Sequence, residues 1–243
     1  MRIVSCVPSL TEWVAFLEPG FLVGRTRFCV SPEGIRAVPV IGGTRKLNIH
    51  KILDLKPDLV LAVLEENNKE EIQEIQRMGI RVEVLQIRNW KEAIIGLNEI
   101  GKWMKRETEA NGYCTLMENA FSSLKPIHGE PTAAYFIWHK PWMAAGGDTF
   151  IHSMMELAGL KNIFSHLNRY PEIDIEILEL KNPDFILLSD EPFPFREAHK
   201  KALEALLPRT KILLVDGAAF SWYSQRMANF PSYMTKLFNI FRS

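Results

Sequence analysis

One phrase occurs twice in this chain. Leu53-Asp54-Leu55-Lys56-Pro57-Asp58-Leu59-Val60-Leu61 returns as Leu178-Glu179-Leu180-Lys181-Asn182-Pro183-Asp184-Phe185-Ile186-Leu187, with one residue inserted. Each copy describes a helix end, a proline that cannot continue the helix, and a short apolar run. A run that is apolar on both faces is buried on both faces, which is the habit of parallel sheets flanked by helices. The same kind of run predicts strands at Ile3 to Val7, Leu22 to Gly24, Leu59 to Val63, Val82 to Leu85, Ala133 to Trp138, Phe185 to Leu188 and Ile212 to Val215. Amphipathic stretches alternate with them, so the chain reads as an α/β protein.

Helix signals lie between the strands. Ser9-Leu10-Thr11-Glu12 has the form of a capping box opening a helix to about Leu17, and Asn67 is placed to start one that Gly79 ends after Met78. From Trp90 to Leu124 there is no proline, and Ile94, Leu97, Ile100 and Met104 recur at three to four; this predicts one long helix, bent at Gly112. A helix of some 30 residues spans about 45 Å, more than one small lobe needs, so it reads as a connector. A weaker echo sets Ser9 to Gly20 beside Asp148 to Gly159, with Asp148 as N-cap of the second helix. The two echoes favour a duplicated fold, although such short phrases also arise independently. The expected organisation is an N-terminal α/β lobe over 1–90, a connecting helix over 91–125 and a C-terminal α/β lobe over 126–243. Two lobes on one helix leave a cleft, and ligands of α/β proteins bind outside strand ends.

The 243 residues suffice for such lobes, and 47% hydrophobic with 24% charged residues excludes disorder and a coiled-coil rod. Lys+Arg and Asp+Glu both number 29, so no field draws in nucleic acid or an anionic membrane. Cys6, Cys29 and Cys114 are few and widely spaced, as free thiols are. Arg25 and Arg27 are close enough in sequence to activate Cys29, but a buried inert thiol is the favoured reading. The sequence as written opens on a strand with no export signal, which reads as cytoplasmic, and it has no run long enough to span a membrane. The phosphate loop, nucleophile elbow, zinc helix and dinucleotide turn are all missing, and the six histidines show no metal-ligand spacing.

The chemistry gathers in loops after strands. Arg25 to Cys29, Glu65 to Asn67, Trp138 to Met143, Arg169 to Glu172, Ser189 to Phe195 and Asp216 to Arg226 are rich in aromatic and charged residues. Aromatics in such loops meet a ligand or pack lobe on lobe. Arg25, Arg169 and Arg226 suit bidentate bonds either to ligand carboxylates or to Glu65, Glu66 and Glu191. The sequence leaves both open.

In its order of motifs the chain resembles the helical-backbone substrate-binding proteins of ABC importers, the receptors for vitamin B12, haem and ferric siderophores. The resemblance rests on Arg2-Ile3-Val4-Ser5 with Pro8-Ser9-Leu10-Thr11-Glu12, on Leu55-Lys56-Pro57-Asp58-Leu59-Val60, and on Gly146 through Phe164 ending Ala158-Gly159-Leu160-Lys161-Asn162-Ile163-Phe164. It covers nearly the whole length and is nearest to the B12-binding branch. It implies two Rossmann-like α/β lobes joined by one long backbone helix, a ligand cleft between the lobes, and a monomeric, non-enzymatic receptor. It further implies a periplasmic location and a permease partner, with no intrinsic cofactor or metal; cobalamin, haem or a ferric siderophore would be the cargo. On this reading Trp142, Tyr170, Trp222 and Tyr223 offer flat faces to a corrin or porphyrin. Arg25, Glu65, Glu66, Arg169, Glu191 and Arg226 meet polar side arms, and Glu70 or Glu71 with Glu197 dock on a permease. The absent leader motivates the other expectation, a cytosolic corrinoid-handling protein or enzyme on the same scaffold.

Overall fold

The computed structural model describes residues 1–242. Its contacts divide the chain into two compact units. The first comprises Met1–Ile87, Lys91–Glu118 and Tyr223–Met227; the second comprises Arg88–Trp90, Asn119–Trp222 and the chain from Ala228 onward.

Unit 1 contains β1 (Ile3–Ser5), α1 (Pro8–Leu17), β2 (Leu22–Arg25), the small hairpin β3 (Gly42–Gly43) and β4 (Lys46–Leu47), α2 (Ile49–Asp54), β5 (Leu59–Val63), α3 (Lys69–Arg77) and β6 (Val82–Leu85). The main sheet has the order β2-β1-β5-β6, and every pair in it is parallel. All five residues of β5 are buried, as a two-faced apolar run requires. On α3 the buried Ile72 and Ile75 form the inward stripe. Its N-cap is Asn68, whose side chain accepts from the Glu71 amide, and not the expected Asn67. Asn67 is a staple instead. Its Oδ1 accepts from the Val63 amide at 2.8 Å while Nδ2 donates to the carbonyls of Thr44 and Cys6.

The expected capping box at Ser9 is absent too. Helix α1 starts at Pro8, a residue suited to a first turn whose amide would have no partner, and its N-cap Val7 makes no side-chain cap. Glu12 is thereby released from capping, and its carboxylate lies buried inside unit 1.

The predicted single connecting helix is two helices, α4 (Trp90–Trp103) and α5 (Glu107–Ser123). Lys105 takes a left-handed φ of 55° and the Arg106 amide donates to the Gly101 carbonyl, so the chain reverses within a few residues. Close approach makes the reversal stable: a Cβ on Gly101 would lie 2.2 Å from that of Ala110. Further along, the Cys114 thiol reaches the Ile94 carbonyl at 3.8 Å, as an antiparallel hairpin demands. Helix α5 runs uninterrupted through Gly112 and carries the chain from unit 1 into unit 2.

Unit 2 contains β7 (Thr132–Trp138), β8 (Met143–Ala144), α6 (Phe150–Leu157), β9 (Lys161–Asn162), α7 (Glu176–Lys181), β10 (Phe185–Ser189), α8 (Glu197–Leu206), β11 (Lys211–Val215), α9 (Gly217–Ser221) and α10 (Phe230–Arg242). Its parallel strands follow the order β9-β7-β10-β11, with β8 added antiparallel to β7. This repeats the arrangement of unit 1, with β5 and β10 in the same place. The twice-written phrase therefore has a structural meaning. Lys56 and Asn182, at φ 45° and 41°, each break a helix just before the proline. The aspartate that follows then anchors the neighbouring first strand. Asp58 accepts from the Arg2 amide at 2.7 Å, and Asp184 accepts from the Thr132 amide and hydroxyl, both at 2.7 Å. In the weaker echo, α6 is capped by Thr149 and not by Asp148, whose carboxylate accepts from the Arg169 amide.

The helix reversal can be tested with two glycines of equal sequence appearance. Gly101→Ala lowers stability by about 1–3 kcal/mol through overpacking against Ala110, although alanine is the better helix former. Gly112→Ala, with nothing near its added methyl, raises stability by up to about 1 kcal/mol. Urea denaturation reads both, and an increase at both positions would contradict the hairpin. Asp58→Ala and Asp184→Ala each cost about 1–2 kcal/mol in the same assay, because each leaves a strand-starting amide to water.

Candidate functional site

The candidate residues lie mainly in loops at the carboxyl ends of the parallel strands, one set in each unit. In unit 1 the loop after β2 is held from inside by Arg25. That side chain is buried, and its guanidinium donates to the carbonyls of Thr26, Cys29, Ile35 and Arg36 at 2.9–3.2 Å. Arg25 was expected to offer its fork to a ligand or to an acidic side chain; four main-chain carbonyls occupy it instead. Thr26 beside it is buried as well, and the chain turns outward only at Arg27 and Phe28. The Arg27 guanidinium lies 5.5 Å from the centre of the Phe28 ring, and Phe28 is 53% exposed. Cys29 is buried between the hydroxyls of Thr11 and Thr26, both at 3.1 Å. Burial pushes its thiol up, outweighing those hydrogen bonds and the smaller pull of Arg25, so it is an inert thiol.

Glu65 and Glu66 follow β5 and separate in role. The Glu65 carboxylate accepts from the Ile87 amide at 3.3 Å, and its carbonyl accepts from Arg45. Glu66 accepts a close hydrogen bond from the Tyr223 hydroxyl, and Tyr223 is itself buried. Arg226, three residues on, is engaged by Glu12: its Nε lies 2.8 Å from both carboxylate oxygens, its Nη2 donates to Ser31, and Ser31 and Ser224 donate to Glu12. A buried carboxylate is tolerated only when so paired, and stripping away its partner costs about 3–5 kcal/mol. The segment Tyr223–Met227 is thus fixed into unit 1 at two acidic points. Sequence reasoning missed Glu12, because Ser-x-x-Glu before an apolar run looks the same whether the glutamate caps a helix or points into the fold.

Unit 2 presents aromatics. Trp142 stacks on Phe195 with ring centres 5.7 Å apart at 13°, and packs edge-on against Phe136. His139, Phe193 and His199 complete the group, with His139 4.5 Å from Trp142. The sequence named both loops that carry these rings but singled out only Trp142 as a ligand face, since Phe193, Phe195 and His199 lie some fifty residues away along the chain. Nearby along the sheet, Glu191 accepts from the Trp222 indole at 2.6 Å and from Ser221 at 3.0 Å. Burial raises the Glu191 carboxyl above its usual range against those two hydrogen bonds, with Asp190 and Asp216 adding to the rise. Arg169 sits at φ 59° and its carbonyl accepts from the Gly146 amide at 2.8 Å, tying its loop to the one after β8, and Tyr170 beside it is half-buried.

Of the acidic residues expected to face a partner, Glu70 is exposed in the first turn of α3 and Glu197 is exposed as the first residue of α8. These helices follow the corresponding strands β5 and β10. Glu71 is used internally, accepting from the Leu47 amide at 2.9 Å. Among the described residues, no three His, Cys, Asp or Glu side chains are grouped to hold a metal ion, and no helix is long and apolar enough to cross a membrane.

Comparison with known proteins agrees with this architecture. The vitamin B12-binding protein of Vibrio vulnificus is 22% identical over 196 residues, covering 77% of this chain and 71% of its own. Among solved structures, the periplasmic vitamin B12-binding protein BtuF of Vibrio cholerae superposes with a TM-score of 0.80 at 20% identity, over 100% of this chain and 98% of its own. A periplasmic haem-binding protein from Pseudomonas aeruginosa gives 0.79 at 22% identity, over 98% and 92%. The family profile described as periplasmic binding protein matches residues 3–209. The chain, with a parallel sheet of like strand order in each unit, belongs to that family of substrate-binding proteins.

Proposed function

We propose that this protein captures a corrinoid, or another bulky metal chelate such as haem, and delivers it to an ABC permease outside the cytoplasmic membrane. The observation that carries the reading is the group of partly buried aromatics, Trp142, Phe193 and the exposed Trp138, that edges the core at the carboxyl end of the unit 2 sheet, in a chain whose relatives are named for binding vitamin B12 and haem. Large flat chelates are held by flat apolar faces, and in unit 2 Trp142, Tyr170 and Trp222 supply them. Glu191 and Arg169 are the polar contacts beside them; in unit 1, taken by itself, the candidates are Glu65 with the exposed Arg27 and Phe28. Arg25, Tyr223, Glu66 and Arg226 support these loops from within, which accounts for the internal partners each one has. The activity is binding, with no covalent step, and the protein works as a monomer.

Titration with cyanocobalamin and with haemin, followed by calorimetry and by the visible spectrum of the retained complex, tests this. Saturable one-to-one binding of either is expected, and Trp142→Ala or Trp222→Ala weakens it about 3- to 10-fold through loss of ring contacts. Absence of binding to both chelates would overturn the reading. For the permease, Glu70→Arg with Glu197→Arg is expected to abolish uptake in reconstituted transporter while leaving ligand affinity within about twofold, since both side chains are exposed. Full uptake by that variant would remove these two residues from the docking surface.

A further inference from the structure

The loop after β10 and the segment after β11 are bonded into one acidic corner of unit 2. Asp190 and Glu191 follow β10, and Asp216 follows β11 as the N-cap of α9. Gly217 is the point on which the two segments close. Its amide donates to Asp190 Oδ1 at 2.8 Å, and a Cβ there would lie 2.4 Å from Ser189 Oγ and 2.5 Å from Glu191 Cγ, so only glycine lets them meet this closely. Ser189 donates to the Glu191 carbonyl at 2.5 Å, which fixes the Glu191 backbone at the end of the sheet.

The Glu191 carboxylate is engaged on one side only. The Trp222 indole, at 2.6 Å, and the Ser221 hydroxyl, at 3.0 Å, both donate to Oε1, and Oε2 has no hydrogen-bond partner among the described residues. The side chain is half-buried, and the charged groups that face it, Asp190 and Asp216, are of its own sign. Tyr135 on β7 supplies an independent sign of a polar guest. Its side chain is fully buried, and its hydroxyl, which faces Ser189, Glu191, Asp190 and Tyr233, has no hydrogen-bond partner. An orphaned hydroxyl and an open carboxylate oxygen in one corner are complementary to a group that accepts at one atom and donates at another. A primary amide does both: its N–H donates to Oε2, and its oxygen accepts from Tyr135 through a bridging water, since the Tyr135 side chain has no exposed surface. A carboxylate can only accept, and it brings a further negative charge beside Asp190, Glu191 and Asp216.

We propose that Glu191 Oε2 is the subsite for a primary amide on the rim of the chelate, and that this corner selects amide-bearing chelates over carboxylate-bearing ones. The inference rests on the receptor function proposed above and names the class of chelate that the site takes. Trp222 gives the subsite its place. The indole N–H lies on the edge of the ring, so a chelate stacked on the ring face presents its side arms, and not its metal, to Glu191.

Calorimetric titration of the full chain with matched chelates tests the subsite. Dicyanocobinamide carries primary amides on its side arms, and dicyanocobyrinic acid carries carboxylates on the same ring; haemin and its bis-amide repeat the comparison on a porphyrin. The parent protein is expected to bind the amide member about tenfold more tightly. In Glu191→Gln, which keeps an oxygen for Trp222 and Ser221 but removes the charge, the preference falls to within about threefold. The indole N–H resonance of Trp222 reports that the ring is still held in that variant. In Glu191→Ala the ring loses its acceptor, so both members bind more weakly and the preference disappears as well, which frees the conclusion from the folding of a single variant. Equal affinity for the two members in the parent, or a preference that survives both substitutions, would overturn the amide subsite and leave the receptor reading in place. Failure of all four chelates to bind would overturn both.

Discussion

Parallel strands cannot set their register through a hairpin, because the chain must leave the sheet and return by a crossover before the next strand pairs. Here each sheet has a local solution to that constraint. A helix stops in a left-handed turn, a proline follows, and an aspartate takes the first amide of the neighbouring strand: Asp58 for β1 and Asp184 for β7. With that edge fixed, Ile3 aligns with Leu59 and Ala133 with Phe185, and the carboxyl ends of the strands come level. The loops that carry the aromatic and charged residues start from those level ends.

What those loops then present is decided by where buried polar groups find partners. The arginine that ends β2 is turned inward and satisfied by four carbonyls, so the loop after it is held in shape, and Arg27 and Phe28 in that loop face out. Glu12 and Arg226 neutralise each other, as Glu66 and Tyr223 satisfy each other. The net result is that several of the most conspicuous polar residues are spent on holding the loops of unit 1 in shape. In unit 2 the same logic gives His199 an acceptor role at the start of α8, where its Nδ1 accepts from the Arg196 amide.

The elements that were legible in the sequence are those whose signal is local. The strands Leu59–Val63 and Val82–Leu85 lie where the apolar runs placed them, and the repeated phrase, which favoured a duplicated fold, recurs at the same place in two sheets of like strand order. The family was legible for the same reason, because its motifs are short stretches of contiguous residues. The connecting helix was not. Helices α4 and α5 each keep an apolar face, so the three-to-four spacing passes over the break at Lys105 without interruption, and only the contact of Gly101 with Ala110 shows that the chain doubles back.

The sequence by itself determined the strand runs, the helix-ending prolines, the balance of charge and the loops in which the chemistry would gather, because each depends on residues within one or two turns of chain. Tertiary structure alone decided which polar side chains turn inward. Ser9-Leu10-Thr11-Glu12 reads as a cap until Arg226, more than two hundred residues away, is found on the Glu12 carboxylate. Arg25 reads as a ligand contact until the carbonyls of its own loop are found around it. Hydrogen-bond partners for buried charges come from whatever the fold brings near, and that distance in space is not written in the order of the residues.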